Sequence, residues 1–147
     1  MERLRKLLSL TPRERGLLCE ASILLLLSNA CVKAISFRHI DRFLRIRWID
    51  DIQSGIGHEQ EITLVQRSIS RATNVLPWKT RCLSQSITQF IMLRRRGIRA
   101  VLLAGVRFSG HSSLDAHAWV NTDLATDNKS NENSDFATVI RIGEGGR

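Results

Sequence analysis

Apolar positions follow a helical spacing over the first two thirds of the chain and a strand-like one after it. The segment Thr11-Pro12-Arg13-Glu14 has the form of a helix start. Thr caps, Pro takes the first helical position, and Glu three residues after the cap completes a capping box. A helix is predicted from there to about residue 33, carrying the run Leu17 to Leu27. Ser36 caps a second, shorter one, in which Phe37, Ile40, Phe43 or Leu44 and Arg47 recur at the helical period, ending near Trp48. Residues 50–57, with Asp50-Asp51, Ser54-Gly55 and Gly57, read as a loop. Ile62, Val65, Ile69, Ala72 and Leu76 then mark one face of a third helix that stops before Pro77. A fourth is predicted from Cys82 to Arg96, with Leu83, Ile87, Phe90 and Ile91 turned inward and Gly97 as its stop.

The period then changes. Residues 98–108 read as a strand around Val101-Leu102-Leu103-Ala104, residues 109–113 as a loop, and residues 114–121 as a second strand returning antiparallel. A short strand over 122–127, an exposed loop over 128–135, renewed alternation over 136–142 and a frayed tail at 143–147 complete the reading. The pattern predicts an α+β fold in a single domain, residues 1–147. Residues 1–76 form a mainly helical part, and residues 77–142 hold the Cys82 helix packed on a small antiparallel sheet. There is no internal repeat and no Gly-rich phosphate loop.

Composition narrows the partners less than the pattern narrows the fold. With 43% hydrophobic residues, 5% aromatics and no Tyr, the core rests on Leu, Ile, Val and Ala. A net charge of +8 favours nucleic acid, an anionic membrane or an acidic peptide, but most of the basic residues alternate with apolar ones as on a solvated face. A basic helical nucleic-acid-binding protein is therefore an alternative of another class. It lacks a helix-turn-helix pattern, aromatic stacking strips or a zinc site, and the expectation is no nucleic-acid partner. Three cysteines with no C-x-x-C pair argue against a disulfide framework or a metal cluster, so neither metal nor cofactor is expected. Glu20 and Lys33 interrupt the N-terminal apolar run, which reads as a buried helix, neither signal sequence nor membrane span, in a cytoplasmic protein.

Candidate chemistry centres on Cys82. A thiol in the opening turn of a helix feels the positive end of the helix dipole and the open backbone N–H groups, which favour thiolate, and Lys79 and Arg81 add to the effect. The backbone amide there is placed to donate to an oxyanion. Cys19 and Cys31, inside an apolar helix, read as structural. In Ala116-His117-Ala118-Trp119-Val120, alternation puts His117 and Trp119 on the face opposite the small and apolar residues, and makes His117 the candidate base. A carboxylate to orient the imidazole is available at Asp115, Asp123 or Asp127. Asp115 runs alongside the ring on its own strand. Asp127 reaches it if residues 120–123 turn tightly and residues 124–127 run back beside the His117 strand.

Leu76-Pro77-Trp78, Arg81-Cys82-Leu83, Leu93 to Gly97, Gly105-Val106-Arg107 and Ala116 to Val120 together resemble the lasso-peptide leader peptidases of the transglutaminase-like superfamily. The resemblance implies a transglutaminase/papain-like core and a Cys82-His117-Asp127 triad. It also implies a cysteine peptidase that removes the leader of a ribosomally made precursor peptide, working with a leader-recognition protein and an ATP-dependent lasso cyclase. The same thiolate and imidazole serve transglutaminase-like or N-acetyltransferase-like acyl transfer, which stands as the alternative within enzymes. The basic helix between Arg38 and Arg47 is the expected docking face for an acidic leader or partner.

Overall fold

The computed structural model describes residues 10–34, 39–40, 42, 44, 57–76, 80–109, 113–122 and 135–143. Helices α1 (Pro12–Ala34), α2 (Glu59–Val75) and α3 (Cys82–Arg94) precede strands β1 (Val101–Ser109), β2 (Ser113–Asn121) and β3 (Ala137–Ile142). The strands form one antiparallel sheet in the order β2-β1-β3. The chain is thus α+β, as its patterning predicts.

Local signals place the helix ends. At the start of α1 the capping box closes reciprocally. Thr11 N–H donates to Glu14 Oε2 at 3.0 Å, and Glu14 N–H donates to Thr11 Oγ1 at 3.3 Å. The bond from Thr11 N–H, then Arg71 at 3.1 Å and the Thr11 hydroxyl at 3.0 Å, hold the Glu14 carboxyl below its ordinary pKa. At the other end of the helical part, Gly97 takes φ of +72°, Gly97 N–H donates to the Arg94 carbonyl and Ile98 N–H to the Leu93 carbonyl. That is a Schellman ending, and its apolar contact is supplied by Leu93 and the fully buried Ile98.

The predicted apolar faces become one core. Leu17, Ala21 and Leu25 of α1 meet Ile62, Val65, Ile69 and Ala72 of α2, and Ile87, Phe90, Met92 and Leu93 of α3. Leu102 and Ile142 close it from the sheet. The predicted helix over 36–48 lies largely outside the described residues. The described His39, Ile40, Arg42 and Leu44 are helical, with Ile40 and Leu44 joining the core and Arg42 exposed. By length and composition α1 is long and apolar enough to cross a membrane, a test that the core helix of a soluble protein also passes, and 28% of that stretch is buried in the protein.

Among the described residues, several charges of the helices pair with one another. Glu20 of α1 pairs with Arg95 and Arg96, Arg96 also with Glu61, Glu61 with Arg13, and Glu14 with Arg71. Arg94 is buried, stacks 5.3 Å from the Phe90 ring and donates to the carbonyls of Ala100 and Gly143, tying the end of α3 to both β1 and β3. The arginine cluster at 94–96 is therefore a structural tie across three helices and the sheet, and not a free basic face.

Candidate active site

Helix α3 begins at Cys82 because the chain enters it extended. Arg81 has φ −76° and ψ 151° and offers no side-chain cap, so the first-turn N–H groups are left without one. Gln85 fastens the entry by donating to Thr80 Oγ1 at 2.8 Å. All three cysteines are free thiols; Cys82 is partly exposed, as is Cys31, while Cys19 is exposed.

A matching of two periods sets α3 on β2. Cys82 and Ser86 are one helical turn apart, about 6 Å along the axis, and alternate residues of a strand are about 6.6 Å apart. Cys82 Sγ lies 4.0 Å from the Ala116 carbonyl oxygen, and Ser86 Oγ donates to the Ala118 carbonyl at 2.8 Å. Helix and strand accordingly run in the same direction in register, with His117 between the two carbonyls that α3 touches. Ser86, which sequence reasoning passed over, ties α3 to β2. Its signal is a small hydroxyl one turn after the thiol, where the buried helix side otherwise favours a larger apolar residue.

His117 pairs across the sheet with Gly105, and Trp119 with Leu103. The imidazole stacks with Trp119 at 6.1 Å and meets Phe136 at 5.5 Å between ring centroids. Gly105 makes room for this cluster, since a Cβ there would meet the Ala137 carbonyl at 2.9 Å and the Trp119 ring at 3.0 Å. Arg107 lies 4.5 Å from the Phe136 centroid and pairs with Asp115 at 3.0 Å. The structure thus brings the His117 strand against the start of the Cys82 helix. Among the described residues, no hydrogen bond joins thiol to imidazole, whose ring is held on the aromatic side of the strand. Of the three candidate acids, Asp115 is committed to Arg107, while Asp123 and Asp127 lie outside the described residues, as does Lys79. Among the described residues there is no group of His, Cys, Asp and Glu side chains that could hold a metal ion.

A cysteine opening a helix that packs on an antiparallel sheet, with a histidine on the neighbouring strand, is the kind of arrangement found in cysteine-dependent acyl-transfer folds. The family follows from comparison. The model of the transglutaminase-like superfamily matches residues 24–141, most of the chain and all of the described sheet but Ile142, and the chain belongs to that superfamily. No curated protein and no solved structure matches it.

Proposed function

We propose that the protein is a cysteine peptidase that removes the leader segment from a lasso-peptide precursor, with Cys82 as nucleophile, His117 as base and Asp127 orienting the imidazole. The observation that carries this reading is the seating of the Cys82 thiol, at an uncapped helix start, 4.0 Å from the carbonyl of the residue before His117. In the reaction, His117 takes the thiol proton and the Cys82 sulfur attacks the scissile carbonyl carbon. The oxyanion is met by first-turn amides of α3. Collapse breaks the peptide C–N bond, the imidazolium returns its proton to the leaving amine, and water, deprotonated by His117, hydrolyses the thioester to release the leader acid and free thiol. For this, the imidazole must leave Trp119 and Phe136 and pass round the β2 edge, because it lies on the face of the sheet opposite the one that α3 covers.

A leader-recognition protein and an ATP-dependent cyclase are the proposed partners, which would supply leader binding and ring closure. Mass spectrometry of the precursor after incubation with the protein and the leader-recognition protein tests the reading. Two fragments whose masses sum to precursor plus water, absent with Cys82→Ala, are expected. A product carrying a new amide from an added amine would move the assignment to acyl transfer, and an unaltered precursor would refute it. Among the described helical residues, Arg13, Arg71, Arg95 and Arg96 are matched by Glu14, Glu20 and Glu61, and these four do not favour a nucleic-acid-binding role.

A further inference from the structure

The sheet continues beyond the start of α3, and the part it leaves uncovered is apolar. On β1 and β2, Leu102, Ala104, Val106 and Phe108 share a face with Val120, Ala118, Ala116 and Leu114, their register partners. Where α3 covers this face, Leu102 and Ala118 are buried; past Cys82, Ala116 is exposed, Phe108 is 80% exposed and Leu114 is 64% exposed. Because α3 and β2 run in the same direction, lower-numbered residues of β2 lie ahead of the nucleophile. Leu114 therefore stands about 6.6 Å along the strand from Ala116, whose carbonyl touches the thiol.

We infer that Phe108 and Leu114 form a substrate subsite that takes an apolar side chain about two residues from the scissile bond. The inference rests on Cys82 being the nucleophile and adds a specificity to it. An extended peptide has the rise of a strand, so a chain whose reacting carbonyl sits at Cys82 lays a side chain two residues away over this pair. Phe108 and Leu114 face each other directly across the hairpin, close enough to act as one surface. A polar side chain placed there gives up water without gaining a partner, whereas an apolar one removes three apolar groups from water together.

The test uses the full chain and two chloroacetyl dipeptide amides, glycyl-leucinamide and glycyl-glutaminamide, which place leucine or glutamine two units from the alkylated carbon. The thiolate forms the C–S bond as chloride leaves, and each second-order rate is divided by that of iodoacetamide on the same protein. The leucine probe is expected to react about ten-fold faster than the glutamine probe. In Phe108→Ser/Leu114→Ser the ratio is expected to fall to about one, while Phe108→Trp keeps the preference. Peptide mapping reads the labelled residue, and circular dichroism verifies the fold of each variant. Labelling at Cys82 with no preference for leucine, or a preference that survives the double substitution, overturns the subsite alone. Labelling only at Cys19 or Cys31 overturns the nucleophile and the subsite with it. Sedimentation showing a wild-type dimer that the double substitution dissociates makes the pair a contact between copies of the chain, and likewise overturns the proposal.

Discussion

Replacing Ser86 by Ala removes one hydroxyl and a bond between the Cys82 helix and the His117 strand. Ser86 is 6% exposed and its Oγ donates to the Ala118 carbonyl at 2.8 Å, so the substitution deletes a buried hydrogen bond and leaves an acceptor with one partner fewer. The cost is about 1–2 kcal/mol, which for a chain of this size lowers Tm by roughly 2–8 °C. The catalytic effect is expected to be larger than that. Along the contact between α3 and β2, Ser86 supplies the short bond and Cys82 only a 4.0 Å approach, so loss of the bond lets the start of α3 shift against His117. A misplacement of about 1 Å at a reacting group costs on the order of 100-fold. A purely structural role predicts a lower Tm with an unchanged kcat below it. The register role predicts a fall in kcat of ten-fold or more on that scale with little change in KM, measured on precursor cleavage well below Tm, where both proteins are folded. A Ser86→Ala protein with wild-type kcat and a lowered Tm refutes the argument that this bond sets the register.

Cys82→Ala is expected to abolish cleavage while Cys19→Ala and Cys31→Ala retain it, read by product formation at equal protein concentration. Asp127→Asn is expected to lower kcat by orders of magnitude with little change in Tm, and Asp123→Asn to leave it near wild type; equal rates in both would return the site to a Cys82-His117 dyad or to Asp115. Gly105→Ala forces a Cβ to within 2.9 Å of the Ala137 carbonyl and 3.1 Å of the Phe136 Cβ, so it is expected to destabilise the chain by roughly 1–3 kcal/mol in urea unfolding; an unchanged midpoint would show that β3 yields freely. Glu14 has its pKa lowered from 4.5 by the Thr11 backbone bond first and Arg71 next, so its stabilising contribution is complete above that value and is lost as pH falls through the depressed folded one. Glu14→Gln is therefore expected to unfold with a shallower dependence on pH below 4.5, and parallel curves would contradict the assignment.

Elements whose signals are local were legible in the sequence. The Thr11 to Glu14 capping box, the Gly97 stop and the apolar faces of α2 and α3 each depend on residues within a turn or two of one another, and the alternation at 116–120 fixed which residues share a strand face. Cys82 was legible as a helix-start thiol for the same reason. What tertiary structure alone decided depends on partners far apart in the chain. The order β2-β1-β3 leaves β2 at an edge, Ser86 is matched to Ala118 across thirty-two residues, and Glu20 is matched to Arg96 across seventy-six. Charges that look like a basic face in one dimension become ion pairs once two helices pack, because a one-dimensional pattern records which side of a helix is polar but not what that side meets. The same limit applies to the aromatic cage of His117, Trp119 and Phe136 and to the bare overhang at Phe108 and Leu114. Alternation assigns a side chain to a face, whereas packing decides whether that face is covered, and by what.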